Sequence, residues 1–119
     1  MKIFKYIFFL INIFILTSCK YGVDFEIQNN AKNDIDSVIV TNGFNYLKFN
    51  DIKFNEKKEG FLDFKKNNPK HDGQYFLKVF TKNSIKEKPF GYYSNGGPSG
   101  SKFKIIVEND TLLINEYFD

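Results

Sequence analysis

One cysteine (Cys19), one histidine (His71) and a Gly/Ser-rich stretch over residues 91–102 hold the residue types suited to catalysis or ligand capture in this chain. His71 lies in Pro69-Lys70-His71-Asp72-Gly73, where it reads as a solvated turn residue beside Asp72. A nucleophilic serine needs the sharp Gly-x-Ser-x-Gly turn. Ser94 has Tyr92 in place of the first glycine, and Ser99 has Ser101 in place of the last. The Gly/Ser-rich stretch lacks the Gly-Lys-Ser/Thr ending that cradles a phosphate. Residues 68–73 match a calcium loop poorly, with Lys70 where an oxygen ligand belongs and Val79 where the closing Glu should stand. Carboxylates are spread singly, without the close pair that general acid–base chemistry uses. A single cysteine excludes an internal disulfide and a cysteine-based zinc site. The expectation is a non-enzymatic protein with no metal and no cofactor.

The best binding candidate is Pro89-Phe90-Gly91-Tyr92-Tyr93-Ser94-Asn95-Gly96-Gly97-Pro98. Tyrosine rings are amphipathic and lose little entropy on ordering, and glycine permits an unusual backbone. Tyr92, Tyr93 and Asn95 are the candidate contact residues, for an envelope protein or a glycan. On a strand the two tyrosines point to opposite faces, so one of them belongs to the core. An ordinary strand ending in a loop is the competing reading. Lys57-Lys58 and Lys65-Lys66 offer contacts to anionic headgroups, each contributing up to about 1 kcal/mol near a charged surface. Glu56, Glu59 and Asp63 offset them, which favours a solvated face.

These groups must be positioned by a chain of 119 residues, enough for one small domain. It has 17 basic residues, all lysine, against 14 acidic ones, with 15 Phe, 7 Tyr and no Trp. Lys2 and Lys5 belong to an N-terminal leader, so the rest is close to neutral. Nucleic-acid binding calls for a strongly basic face, usually with arginine, and is excluded on that ground.

Residues 1–18 read MKIFKYIFFLINIFILTS, two lysines followed by an uncharged apolar run from Tyr6 to Leu16. That is the form of a secretory signal peptide. As a helix the run spans roughly 16 Å, too short for a bilayer core of about 30 Å. Leu16-Thr17-Ser18-Cys19 resembles the lipobox of bacterial lipoprotein precursors. The resemblance implies a diacylglyceryl thioether on Cys19, cleavage just before it, and acylation of the freed amine. Ordinary cleavage wants small residues one and three places before the cut, and Leu16 is unsuited to the latter. One acyl chain binds a membrane weakly, whereas several on one residue hold it firmly, at about 0.8 kcal/mol per buried methylene. In bacteria that sort lipoproteins by the next residue, Asp there retains the protein in the inner membrane, so Lys20 points to the outer membrane. The leaflet is left open.

The mature chain reads as β throughout. Residues 23–28 alternate strictly, residues 35–41 are β-branched, and Asn42-Gly43 makes a turn. Residues 44–54 read as two extended pieces broken at Asn50-Asp51. Residues 61–64 form a short strand, and residues 74–82 a long one. Residues 85–93 are extended, with Pro89 marking an edge or a bulge. Residues 102–108 and 111–117 flank Asn109-Asp110 as a two-residue hairpin. About eight strands with regular turns point to a small antiparallel β-sandwich, immunoglobulin- or transthyretin-like. The core candidates are Phe25, Ile27, Ile39, Tyr75, Leu77, Val79, Phe103, Ile105, Val107, Leu112 and Ile114. The organisation is a leader (1–18), a lipidated N-terminus and short tether (19–22) and one sandwich domain (23–119).

Phe25-Glu26-Ile27-Gln28-Asn29-Asn30, Ile35-Asp36-Ser37-Val38, Asp72-Gly73-Gln74-Tyr75, Phe90-Gly91-Tyr92-Tyr93-Ser94-Asn95-Gly96 and Asp110-Thr111-Leu112 together resemble small lipoproteins of Bacteroidetes-type bacteria. The resemblance implies an envelope location and a sandwich, with no activity attached. In those bacteria Asp-Ser/Thr followed by an apolar residue is similar to an O-glycosylation signal, which makes Ser37 and Thr111 candidate acceptors. The functional expectation is a lipid-anchored binding domain of the cell envelope, of the immunity type in one version. A carbohydrate-binding accessory lipoprotein is the alternative, and an unusual enzyme built on His71 comes third.

Overall fold

A computed structural model describes residues 21–118. The expected leader (1–18) and the expected acylation site Cys19 lie outside the described residues. The described chain holds nine strands and no helix: β1 (Gly22–Asn29), β2 (Ile35–Thr41), β3 (Tyr46–Ile52), β4 (Lys57–Asp63), β5 (Gly73–Thr81), β6 (Ile85–Ser94), β7 (Gly97–Pro98), β8 (Lys102–Val107) and β9 (Leu112–Tyr117). They form two packed sheets, ordered β4-β1-β8-β9 and β3-β2-β5-β6-β7. The expected β-sandwich is therefore present.

Every neighbouring pair is antiparallel except β1 and β8, which run parallel in the middle of the four-stranded sheet. The chain path forces this. β6 ends where β1 begins, so the chain returns to the first sheet travelling in the direction of β1. An immunoglobulin domain keeps its first two strands in one sheet. Here β1 and β2 lie in opposite sheets, so the immunoglobulin arrangement is not the one observed.

The two ends of the sandwich differ. The chain enters at one end, together with the β2–β3, β4–β5 and β6–β8 connections and the end of β9. The β1–β2, β3–β4, β5–β6 and β8–β9 connections lie at the other. Near the entry end the core is aromatic: Phe25 stacks on Phe103 at 5.3 Å, Tyr75 on Phe90 at 5.4 Å, and Phe64 meets Tyr93 edge-on at 5.7 Å. Such ring pairs add to area burial and occupy the volume that a small domain otherwise staples with disulfides. Aliphatic residues, among them Ile27, Ile35, Ile52 and Val79, complete the core.

Two core assignments change. Ile39 is only partly buried and points outward, because a bulge between Ile35 and Ser37 shifts the alternation and turns Val38 and Val40 inward. Ile114 packs against the core without being fully buried. β3 also runs unbroken through Asn50-Asp51, and β4 extends back through Lys57-Lys58-Glu59.

Polar residues that read as turn material hold the ends together. Asn29 is fully buried; its amide donates to Asn33 and Ile52 carbonyls at 3.1 and 2.9 Å, and its side-chain oxygen accepts from Ala31 N at 2.9 Å. The buried Asn42 likewise accepts from Phe44 N at 3.2 Å and Asn45 N at 2.9 Å.

Candidate binding surface

Cross-strand register sets the outer face of each sheet. On the four-stranded sheet, register brings Phe61, Asp24, Lys102 and Tyr117 into one row and Glu59, Glu26, Lys104 and Asn115 into the next. A third row is Lys57, Gln28, Ile106 and Leu113, so this face mixes charges, with Lys57 Nζ 3.9 Å from Glu26, and exposed apolar groups at Leu113 and Tyr117.

The five-stranded sheet carries a different grid. Its rows are Tyr46-Thr41-Phe76-Pro89, then Lys48-Ile39-Lys78-Glu87, then Asn50-Ser37-Phe80-Ile85. Tyr46 is 65%, Phe76 49% and Ile85 62% exposed, with Ile39 and Phe80 partly buried beside them. Two apolar rows thus flank a polar one, in which Lys78 pairs with Glu87 at 3.4 Å. Rings and alkyl groups exposed together on one sheet face are candidates for contact with a partner. Sequence reasoning missed Tyr46, Phe76, Phe80 and Ile85. The available signal was Phe76 and Phe80 in the polar phase of an otherwise alternating strand.

The Tyr/Asn segment divides between core and surface. Tyr93 is buried, and its hydroxyl donates to the Asn42 carbonyl at 2.5 Å, so it is a packing residue and not a contact residue. Tyr92 and Asn95 are exposed. Asn95 has φ 51°, and its N–H donates to Asp72 Oδ1 at 2.8 Å. That bond, with further ones from the Tyr92 and Ser94 side chains, holds the Asp72 carboxyl below its ordinary pKa. Asn68 ties the neighbouring loop down by donating to the Phe64 and Gly96 carbonyls at 2.9 and 2.6 Å. The entry-end loops are therefore built on fixed contacts.

His71 is exposed, and its Nδ1 lies 2.8 Å from the backbone oxygen of Asp72, not from its carboxylate. Ser99 Oγ donates to the Tyr92 carbonyl. No nucleophile–base–carboxylate chain is assembled from these groups. Among the described residues no three His, Cys, Asp or Glu side chains come together as a metal site. Thr111 is exposed in the β8–β9 turn, whereas Ser37 is partly buried within a central strand.

The sequence matches no family model and no curated protein. Among solved structures it is similar to a protein from Eubacterium rectale determined by NMR, with a TM-score of 0.55 and 11% identity over 87% of this chain and 95% of that one. At that identity the likeness concerns the fold alone.

Proposed function

We propose that this protein is a lipoprotein held in the bacterial outer membrane by acyl chains on Cys19, and that its sandwich binds a protein partner without catalysing a reaction. The partner docks on the outer face of the five-stranded sheet. The observation that carries the reading is the set Tyr46, Phe76, Phe80 and Ile85, whose rings and alkyl group share that face although they come from three strands. In the immunity-type version the partner is a toxin directed at the envelope. A glycan-binding reading has less support, since Tyr93, one of its three contact residues, is committed to the core.

The test places a photo-crosslinking residue at Phe76 or at Asn115 in the full chain, in its native membrane. Position 76 is expected to capture one protein stoichiometrically and position 115 none. Equal capture, or none from either site, sinks the docking face. Mass spectrometry of the same material is expected to find a chain beginning at acylated Cys19. If Thr111 and Ser37 are both glycan acceptors, Thr111 is the accessible one, and a glycan on Ser37 would cover the docking face.

A further inference from the structure

The domain begins before its first strand. The Tyr21 carbonyl accepts the Phe64 N–H at 2.9 Å, and its ring meets Phe64 edge-on at 6.4 Å. Two of the four residues expected as tether, Tyr21 and Gly22, thus belong to the folded unit. Cys19 is two residues earlier in sequence, a reach of about 7 Å at full extension. Whatever holds Cys19 therefore holds the entry end of the sandwich close to itself.

That end is furnished for such a neighbour. Lys65, Lys66 and Lys70 are exposed on the β4–β5 loop, and a shallow cleft of about 460 Å³ beside Tyr21 is lined by Phe64, Lys65, Asn68, Lys70 and Asn95. On the other side of the entry point, Phe118 is exposed next to Gly22 and Ser101. Two acidic groups of this region are engaged by backbone, Asp63 Oδ1 accepting Lys65 N at 2.7 Å and Asp72 Oδ1 accepting Asn95 N, while the exposed Asp24 lies opposite Lys102 in the register. Lysines beside amphipathic rings are the residue set of a membrane–water interface.

We infer that the entry end seats directly on an anionic bilayer surface, with the Lys66 and Lys70 ammonium groups at headgroup phosphates and Tyr21 and Phe118 at the interface. The inference rests on the lipid anchor proposed above. Its consequence is orientation. The strands stand upright on the membrane, and the apolar face of the five-stranded sheet looks sideways, toward a partner held at the same surface.

The experiment uses the lipidated full-length product in vesicles of phosphatidylethanolamine and phosphatidylglycerol. The native thiol is acylated in this reading, so an introduced cysteine takes a fluorophore alone. Pro69→Cys labels the entry end. Asn83→Cys labels the opposite turn, roughly 27 Å away along β5. A headgroup quencher is expected to dim the label at 69 several-fold more than the label at 83, and Lys66→Glu with Lys70→Glu is expected to erase most of that contrast. Equal quenching of protein that still floats with the vesicles overturns the seat and leaves this end to a protein or glycan. A contrast unmoved by the charge reversals overturns the role of the lysines. Protein that fails to float and carries an unmodified Cys19 brings down the anchor reading, and the seat with it. Flotation is scored separately from quenching, so the two failures are distinguishable.

Discussion

Glu116 points between the sheets from the edge strand β9, on the same side as Leu112 and Ile114. One of its carboxylate oxygens is buried without a hydrogen-bond partner among the described residues, and burial pushes its pKa up. The Tyr75 hydroxyl is also buried and unpartnered, and its pKa is raised by burial first and by the Glu116 charge second. A raised carboxyl pKa means that the folded state holds this proton more tightly than the unfolded chain does. That contribution favours folding below the ordinary carboxyl range and is lost as pH rises through the folded value. At neutral pH the Glu116 charge therefore opposes folding. Glu116→Gln is expected to raise stability at pH 7, by no more than about 1 kcal/mol because the residue is only partly buried. The gain should vanish in acid, and thermal melts of both proteins at the two pH values measure it. A variant less stable at both would mean that the carboxylate holds a partner. An inward charge on an edge strand has a use of its own, since it discourages a second sheet from pairing there.

At the scale of the strand, β6 shows how one backbone position serves two sheets. Gly91 has φ 63°, and a Cβ built there would lie 2.8 Å from the Phe103 ring and 2.9 Å from the Tyr75 ring. The register of β6 on β5 slips beside it, which brings both Phe90 and Tyr93 inward. Gly91→Ala combines left-handed strain with overpacking and is expected to cost about 2–4 kcal/mol in chemical denaturation. A loss near zero would mean that the aromatic cluster has slack. This position also marks the limit of reading strands from pattern. β2 and β8 were legible to within a residue, because β-branched runs ended at Asn42-Gly43 and at Asn109-Asp110. Ile39 was misassigned because a bulge has no signature in Ile35-Asp36-Ser37-Val38. β4 was cut short because its first residues, Lys57-Lys58-Glu59, carry charge on both faces, as an edge strand tolerates. Tyr92 and Tyr93 were legible as a pair, but only the slip on β5 decides which of them is core. The proposed docking face was illegible for a different reason: Tyr46, Phe76 and Ile85 come from three strands, and only cross-strand register places them on one face.

For the molecule as a whole, exposed rings on a sheet face are a liability wherever the domain moves freely in three dimensions. Two freed domains can bury Tyr46, Phe76 and Ile85 against each other, whereas upright copies on a membrane meet only in the orientations that the seat allows. A product lacking residues 1–18 and carrying Cys19→Ala is therefore expected to self-associate as its concentration rises, by way of this face. Phe76→Glu should abolish that association. It places a carboxylate in the central strand β5, two residues from Lys78 on the same face and opposite Thr41 and Pro89. Phe76 is exposed and outside the core, so the expected stability cost is about 1 kcal/mol or less, the range of strand propensity. Sedimentation velocity over a concentration series reads the association, and a thermal melt reads the cost. Should Phe76→Glu leave the sedimentation profile unchanged while the fold survives, the face is not adhesive enough to hold a partner, and the interaction surface would have to be sought on the four-stranded sheet, where Leu113 and Tyr117 are exposed, or among the entry-end loops.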